Sequence, residues 1–248
     1  MYPILFSFGQ FNIYSHGVMI VLGGFFGAWL LKYLLKEKKV SRIFLLELVL
    51  VSFVGGIIGA RLLYFILYFN QFSSFWDFFK LWQGGMVSFG GALGGIILGS
   101  LFLKKRKQNV SEWLDLAIAP LLLGWSIGRV GCFLNGDSFG IATTSKLGMW
   151  GYFPTPLWES IWLAIVAAIC FVAIKNKFKS NLPNGVIFSL GLALYGFGRF
   201  FIDYFKAEPV WFWGLKYGQI GSAAVLALAI IMILIILYSY RNNLNPNP

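Results

Sequence analysis

Three arginines lie inside long apolar runs of this sequence: Arg61, Arg129 and Arg199. A charged side chain is costly in the hydrocarbon core of a membrane, so an arginine in such a run indicates a functional site by default. The planar guanidinium forms paired hydrogen bonds with phosphate or carboxylate oxygens, a geometry that lysine lacks. The residue type therefore indicates an oxyanion ligand, and a phospholipid headgroup is the obvious candidate.

Other unusual polar side chains stand near the ends of the same runs. Asp203 follows Arg199 by four residues, which places both on one helix face about one turn apart. The others are His16, Asn135, Asp137 and Glu159. These groups either line a binding site or pair with one another to hold the helices together, with arginines near helix ends reaching the headgroups. Arg61 favours a site, because it lies about 13 Å from its helix end at 1.5 Å per residue.

The segment GGMVSFGGALGG, residues 84–95, is unusually rich in glycine. Small residues allow neighbouring membrane helices to pack closely. Alternatively, a bent or broken helix here would present backbone N–H groups to an anion or a lipid chain. Under this second interpretation Gly90 and Gly91 are substrate-binding positions.

The cysteines and the single histidine carry less information. Cys132 and Cys170 fall near opposite ends of different apolar runs, so no disulfide is expected. Cys132 follows Arg129 by three residues and is either a catalytic thiol or a small packing residue. One histidine and two separated cysteines form no zinc-ligand set at a recognised spacing, so we expect no metal site.

The composition indicates that the bilayer is the solvent of this chain. Of 248 residues, 58% are hydrophobic, 19% are aromatic and only 12% are charged. A soluble domain carries roughly 25% charged residues, so a soluble globule is excluded, and a disordered chain is excluded as well. Spans of about 20 residues leave no room for a separate soluble domain. We predict one integral-membrane domain over residues 1–248.

Charged and turn residues divide the apolar runs into helical spans. We predict an all-α polytopic membrane protein with seven transmembrane helices, near residues 13–34, 43–69, 86–103, 112–132, 156–174, 185–205 and 218–240. Most of the 20 lysines and arginines lie in the first, third and fifth loops and the C-terminal tail, including Lys39 and Lys179. By the positive-inside rule this side is cytoplasmic, which places the N-terminus outside and the C-terminus inside. The net charge of +11 is thus explained by topology and anionic lipids, and we expect no nucleic-acid partner.

Several blocks of the sequence together resemble one family. The string SIGRVGCFLNGDSFG, residues 126–140, is similar to the signature of bacterial prolipoprotein diacylglyceryl transferases, roughly G-R-x-G-N-F-x-N-G-E. The family's other blocks are matched in order by IYSHGVMI (13–20), GARLLY (59–64), GGMVSFGG (84–91), PTPLWE (154–159), YGFGRFFIDYFK (195–206) and YGQI (217–220). The resemblance covers essentially the whole chain.

The resemblance implies an enzyme of the bacterial plasma (inner) membrane whose active site faces the outer leaflet. Such enzymes move the diacylglyceryl unit of phosphatidylglycerol onto the lipobox cysteine of a preprolipoprotein signal peptide, and glycerol phosphate leaves. This chemistry requires no cofactor. The essential arginines map to Arg129 and Arg199, the nearby acid to Asp203, the signature's Asn and acid to Asn135 and Asp137, and the arginine of the second helix to Arg61.

The chemistry assigns tasks to these residues. Arginines aimed at the departing phosphate stabilise its growing charge, and Arg129 is the first candidate, followed by Arg199. A base that accepts the thiol proton would be Asp203, Asp137 or His16, and histidine is the side chain best suited to neutral pH. Asp203 could instead orient Arg199, and His16 could be structural. Asn135 is expected to fix the headgroup or the loop.

The sequence departs from the family pattern at several positions, which are His16, Phe89, Cys132, Asp137 and the block Phe153, Pro154, Thr155, Pro156. Phe89 replaces a histidine of many members and removes a candidate base. Two alternatives therefore stay open beside the transferase. One is a small-anion transporter, which would predict internal repeats that the sequence does not clearly contain. The other is a divergent member of the family with another acceptor or without activity.

Overall fold

The chain is mainly helical in the computed structural model, which describes residues 1–8, 11–36, 38, 40–72, 74–80, 84–177 and 182–244. Lys39 and Lys179 of the predicted topology lie outside the described residues. The described ranges contain α1 (Ser15–Leu34), α2 (Arg42–Leu67), α3 (Ser88–Lys105), α4 (Val110–Asn135), α5 (Thr155–Lys177), α6 (Val186–Tyr204) and α7 (Tyr217–Leu244). These helices confirm the all-α class and overlap the seven predicted spans.

Six of these helices are long and apolar enough to cross a membrane, namely all except α3. Helix α3 has 18 residues, contains five glycines and ends in Lys104 and Lys105, which lowers its mean hydropathy. The structure thus supports a multi-pass membrane protein. The count of seven spans and the orientation of the termini stay predictions.

Two short antiparallel hairpins precede helices, and sequence periodicity did not predict them. Strands β1 (Ile4–Phe8) and β2 (Phe11–Tyr14) lead directly into α1, and β3 (Val210–Phe212) and β4 (Leu215–Lys216) lead into α7. The second hairpin turns at Trp213 and Gly214, with φ of 48° and 77°. Positive φ at both central residues matches the right-handed twist of the strands, which explains the glycine.

The chain divides into two compact units, Met1–Lys36 with Ser111–Pro248, and Glu37–Val110. The single domain predicted from the sequence stays a prediction. In the second unit, α2 and α3 pack through glycines in antiparallel register. A Cβ atom at Gly59 or Gly90 would overlap the backbone carbonyl of the other, and the same holds for Gly55 and Gly94. This contact is the close packing that small residues allow.

In the first unit, α1 and α4 also approach each other through small residues. A Cβ atom at Gly23 would overlap the carbonyl oxygen of Gly124, and one at Gly131 would lie 3.2 Å from the His16 Cα atom. Helices α4 and α5 are joined by reciprocal bonds, in which the Ser126 hydroxyl donates to the Ser160 carbonyl at 2.8 Å and the Ser160 hydroxyl donates back at 2.9 Å. These contacts fix the helices that carry the site.

Helix α6 begins with a cap that comes from another helix. The Asp115 carboxylate of α4, which is 2% exposed, accepts from the backbone N–H groups of Gly185 at 2.8 Å and Phe188 at 2.7 Å. It also pairs with Lys177 at the end of α5, at 2.6 Å. A carboxylate at a helix N-terminus satisfies free N–H groups and the helix dipole. Asp115 therefore joins three helices at the end of the unit far from the arginines.

Candidate active site

The end of α4 brings three polar side chains together. Gly136 takes a φ of 83°, so the N–H of Gly136 bonds to the Phe133 carbonyl at 3.3 Å and that of Asp137 to the Cys132 carbonyl at 3.1 Å. This pair of bonds is a Schellman motif, and glycine at its left-handed position ends the helix. The chain folds back over its last turn, which returns Asp137 to Cys132. The Asn135 amide donates to the Asp137 carboxylate at 2.8 Å.

The start of α1 lies against this turn. The absence of a side chain at Gly131 allows the close approach of His16. His16 Nδ1 is 3.7 Å from Cys132 Sγ, and Arg129 Nη1 is 3.8 Å from the same sulfur. Nitrogen, sulfur and carboxylate oxygen atoms of His16, Cys132 and Asp137 all lie within 4.8 Å of one another. We call these three residues the His–Cys–Asp cluster.

Glu159 of α5 is the centre of a second group of charges. Its carboxylate, which is 3% exposed, lies 2.6 Å from Arg129 Nε and 2.8 Å from Arg199 Nη1. Arg199 also contacts Asp203 on its own helix, from Nε to Oδ2 at 3.0 Å. The one-turn pairing predicted for these two residues is confirmed. Arg129 and Arg199, from α4 and α6, thus share one carboxylate.

Lys206, just after α6, completes this ion-pair network. Its ammonium lies 2.8 Å from Glu159 and 3.1 Å from Asp203, and the residue is 5% exposed. We use the name ion-pair network for Arg129, Glu159, Arg199, Asp203 and Lys206. The network contains three cations and two carboxylates, so it carries one net positive charge. An uncompensated buried charge is unfavourable, and a bound anion would neutralise it.

Backbone contacts hold the network in place. The Thr155 hydroxyl at the start of α5 donates to the Ser138 carbonyl at 2.7 Å, and Ile141 N–H donates to the Phe205 carbonyl at 2.8 Å. The Lys216 ammonium donates to the Tyr204 carbonyl at 2.7 Å, where a cation complements the C-terminal dipole of α6. These bonds tie α5, α6 and the segment after α4 around Glu159.

Arg61 of α2 belongs to the other unit and has its own partners. It is 3% exposed, and each of its five N–H groups meets a backbone carbonyl. Nε donates to Phe78 at 2.9 Å, Nη1 to Gly84 and Gly85, and Nη2 to Asp77 and Lys80. A guanidinium has five donors, so no donor is left for a phosphate unless one of these bonds opens. A binding role for Arg61 stays a prediction, and the geometry favours a role in fixing the backbone at 77–80 and at 84–85.

Comparison with known proteins identifies the family. The family model for prolipoprotein diacylglyceryl transferase matches residues 3–235. The chain belongs to this family. It is 31% identical over 236 residues to phosphatidylglycerol–prolipoprotein diacylglyceryl transferase 1 of Clostridium perfringens, covering 90% of this chain and 89% of the relative. The enzymes of the same name from Clostridium botulinum, strain Loch Maree, and from Gloeobacter violaceus are each 32% identical, over 92% and 91% of this chain and 94% and 89% of theirs.

Three of the positions that depart from the family pattern lie together in the structure. His16, Cys132 and Asp137 are the three members of the His–Cys–Asp cluster. His16 is more than a hundred residues from Cys132 and Asp137 in the chain, so the sequence alone did not show that the three are neighbours. The same cluster also changes the expectation about metal ligands, since the fold assembles a set that no local spacing indicates.

The glycine segment of this family member is explained in part by packing. Gly90 lies on the contact with α2, whereas a Cβ atom at Gly91 would be 3.4 Å from the Gly56 carbonyl, an ordinary contact. Helix α3 begins at Ser88 and is unbroken to Lys105. Substrate binding by Gly90 and Gly91 stays a prediction.

Two functional residues were missed by sequence reasoning. In the sequence Glu159 is one of several polar residues near the ends of apolar runs, and Lys206 is the last residue of the block 195–206. Glu159 stands one turn inside an apolar helix, and a carboxylate at such a position should have been given the same weight as the arginines. Lys206 offered a weaker indication, its spacing of three residues from Asp203, which places both on one helical face.

Proposed function

We propose that this chain is a phosphatidylglycerol–prolipoprotein diacylglyceryl transferase whose ion-pair network binds the phosphate of the lipid. The diacylglyceryl group moves to the thiol of a lipobox cysteine, and glycerol phosphate is released. The family membership and the names of the relatives support the reaction. The single observation that carries the site is the net positive charge of the buried ion-pair network.

The reaction is a displacement at the C3 carbon of the diacylglycerol unit. The thiol sulfur forms a bond to this carbon, the bond from the carbon to the phosphate oxygen breaks, and the phosphate oxygen keeps the electron pair. Glu159 contacts Arg129 through Nε and Arg199 through Nη1. In this proposal, other N–H groups of the two guanidinium groups donate to one phosphate. Donors held in advance at the departing oxygens stabilise the transition state without reorganisation.

In this proposal Asp203 positions Arg199 and Lys206 and does not accept a proton. It is fully buried, and its two oxygens contact Arg199 and Lys206. Because cations occupy both oxygens of Asp203, we assign the thiol proton to Asp137 or His16, which are both partly exposed. Neighbouring cations also favour the thiolate of the incoming cysteine, which reduces the need for a strong base.

The membrane placement is also part of the proposal. The six long apolar helices support a multi-pass protein. We place the protein in the bacterial plasma membrane with its N-terminus outside, its C-terminus in the cytoplasm and the ion-pair network toward the outer leaflet, on the basis of the positive loops. Phosphatidylglycerol and the preprolipoprotein signal peptide then reach the same side.

The test uses purified protein, phosphatidylglycerol and a synthetic lipobox peptide, followed by mass spectrometry of the peptide. We expect a mass gain of one diacylglyceryl unit on the cysteine, and none with a Cys→Ser peptide or with phosphatidylethanolamine alone. Release of glycerol phosphate without peptide modification would contradict the assignment of the lipobox cysteine as the acceptor. If the protein shows no transferase reaction but carries anions into liposomes, the transporter interpretation would be correct and the transferase proposal wrong.

A further inference from the structure

We propose that the His–Cys–Asp cluster binds one soft divalent metal ion, such as Zn²⁺. Its members offer an imidazole nitrogen, a thiol sulfur and a carboxylate oxygen, all within 4.8 Å of one another. Imidazole, thiolate and carboxylate are the ligands that zinc takes in proteins. This binding does not depend on the proposed transferase activity.

The distances suit a tetrahedral ion. Zinc lies about 2.1 Å from a histidine nitrogen and about 2.3 Å from a cysteine sulfur, which separates the two ligand atoms by about 3.6 Å at the tetrahedral angle. His16 Nδ1 and Cys132 Sγ are 3.7 Å apart. These two side chains can therefore bind one ion with almost no movement.

Rigid elements support the ligands. His16 follows Ser15, which is fully buried and whose N–H donates to the Pro3 carbonyl at 2.9 Å. Asn135 holds one oxygen of the Asp137 carboxylate at 2.8 Å, which leaves the other oxygen for an ion. Hydrogen bonds that orient a ligating carboxylate are typical of metal sites.

The charges balance when an ion is bound. A thiolate and a carboxylate together neutralise a divalent cation, while the imidazole remains neutral. The neighbouring Arg129 is a cation, and its Nε is 2.6 Å from Glu159, which offsets part of its charge. Three protein ligands leave a fourth coordination position for water or a phosphate oxygen.

The test is a titration of the reduced, purified protein with Co²⁺, followed by the absorption band of thiolate-to-cobalt charge transfer. We expect one Co²⁺ per chain, displacement by Zn²⁺, and loss of the band in Cys132→Ser. His16→Phe should weaken Co²⁺ binding at least about tenfold. Asn135→Ala should weaken it about 10- to 100-fold, because the Asp137 carboxylate then loses the hydrogen bond that orients it. Cys170→Ser is the matched control, because this second thiol is buried and outside the cluster.

Two results would overturn the proposal. One is the absence of the charge-transfer band in the reduced wild-type protein, and the other is a band that survives Cys132→Ser. Thermal unfolding and gel-filtration profiles establish that each variant is folded. Asn135→Ala keeps all three ligands, so it tests the site even if a ligand variant is unstable.

Discussion

Arg129 and Arg199 lie on different helices and contact opposite oxygens of one buried carboxylate, that of Glu159. Without Glu159 these two guanidinium groups would repel each other, and with it they are held on the two oxygens of one carboxylate. The carboxylate therefore lowers the electrostatic cost of burying these positive charges close together. Lys206 and Asp203 extend the same arrangement to three cations and two carboxylates.

Arg129→Ala should reduce the rate of diacylglyceryl transfer about 100- to 1000-fold, the effect of removing a preorganised donor from the transition state. Arg129→Lys should also be strongly impaired, because an ammonium cannot reproduce the guanidinium fork. The measurement is initial rate with the lipobox peptide at saturating lipid. Arg106→Ala is the control, since Arg106 is an exposed arginine paired with Glu47. Near-normal turnover of folded Arg129→Ala would remove it from catalysis.

Glu159→Gln should lower both stability and activity. Removing one partner of a buried ion pair costs about 3–5 kcal/mol, because the other charges stay buried without compensation. Thermal unfolding in detergent measures the first effect and the transfer assay the second. Glu47→Gln is the matched change at an exposed pair, which should cost about 1 kcal/mol or less. Equal melting temperatures for the two variants would contradict the central role of Glu159.

Arg61→Lys distinguishes a structural role from lipid binding. An ammonium has three donors, so at least two of the five backbone carbonyls lose their partner, at a cost of about 2 kcal/mol or more. We expect a lower melting temperature and an unchanged KM for phosphatidylglycerol in the folded fraction. A raised KM at wild-type stability would instead support the substrate-binding role predicted from the sequence.

Zinc should inhibit the transferase if the His–Cys–Asp cluster binds it next to Arg129. The protein is loaded with Zn²⁺, freed of excess metal and then assayed, so that the thiol of the peptide does not compete. We expect a several-fold lower rate that a chelator restores, in wild type and in Cys170→Ser alike. Full activity of loaded protein would show that the ion and the reacting phosphate do not interfere.

The orientation is testable with introduced cysteines, because the native Cys132 and Cys170 are buried. A maleimide that cannot cross membranes should label Lys146→Cys in intact cells and Lys105→Cys only after permeabilisation. Both positions are exposed, so labelling reports the side of the membrane. The reverse pattern would invert the predicted topology.

The sequence by itself determined the membrane class, the helix positions and the pairing of Arg199 with Asp203. Hydropathy is a property of contiguous residues, and a spacing of four residues fixes neighbours on one helix. The family signature belongs to the same class of information, since it is a pattern along the chain. The sequence did not predict the two hairpins, because strands of two to five residues give too short an alternating pattern beside long apolar runs.

Only the tertiary structure decided which distant groups meet. Glu159 joins Arg129 and Arg199 because three helices pack around it, and His16 reaches Cys132 because Gly131 lets α1 approach α4. Arg61 stands in an apolar run just as the other two arginines do, yet backbone carbonyls take all its donors. Such pairings depend on helix packing and loop closure between segments far apart in the chain, and no local pattern encodes them.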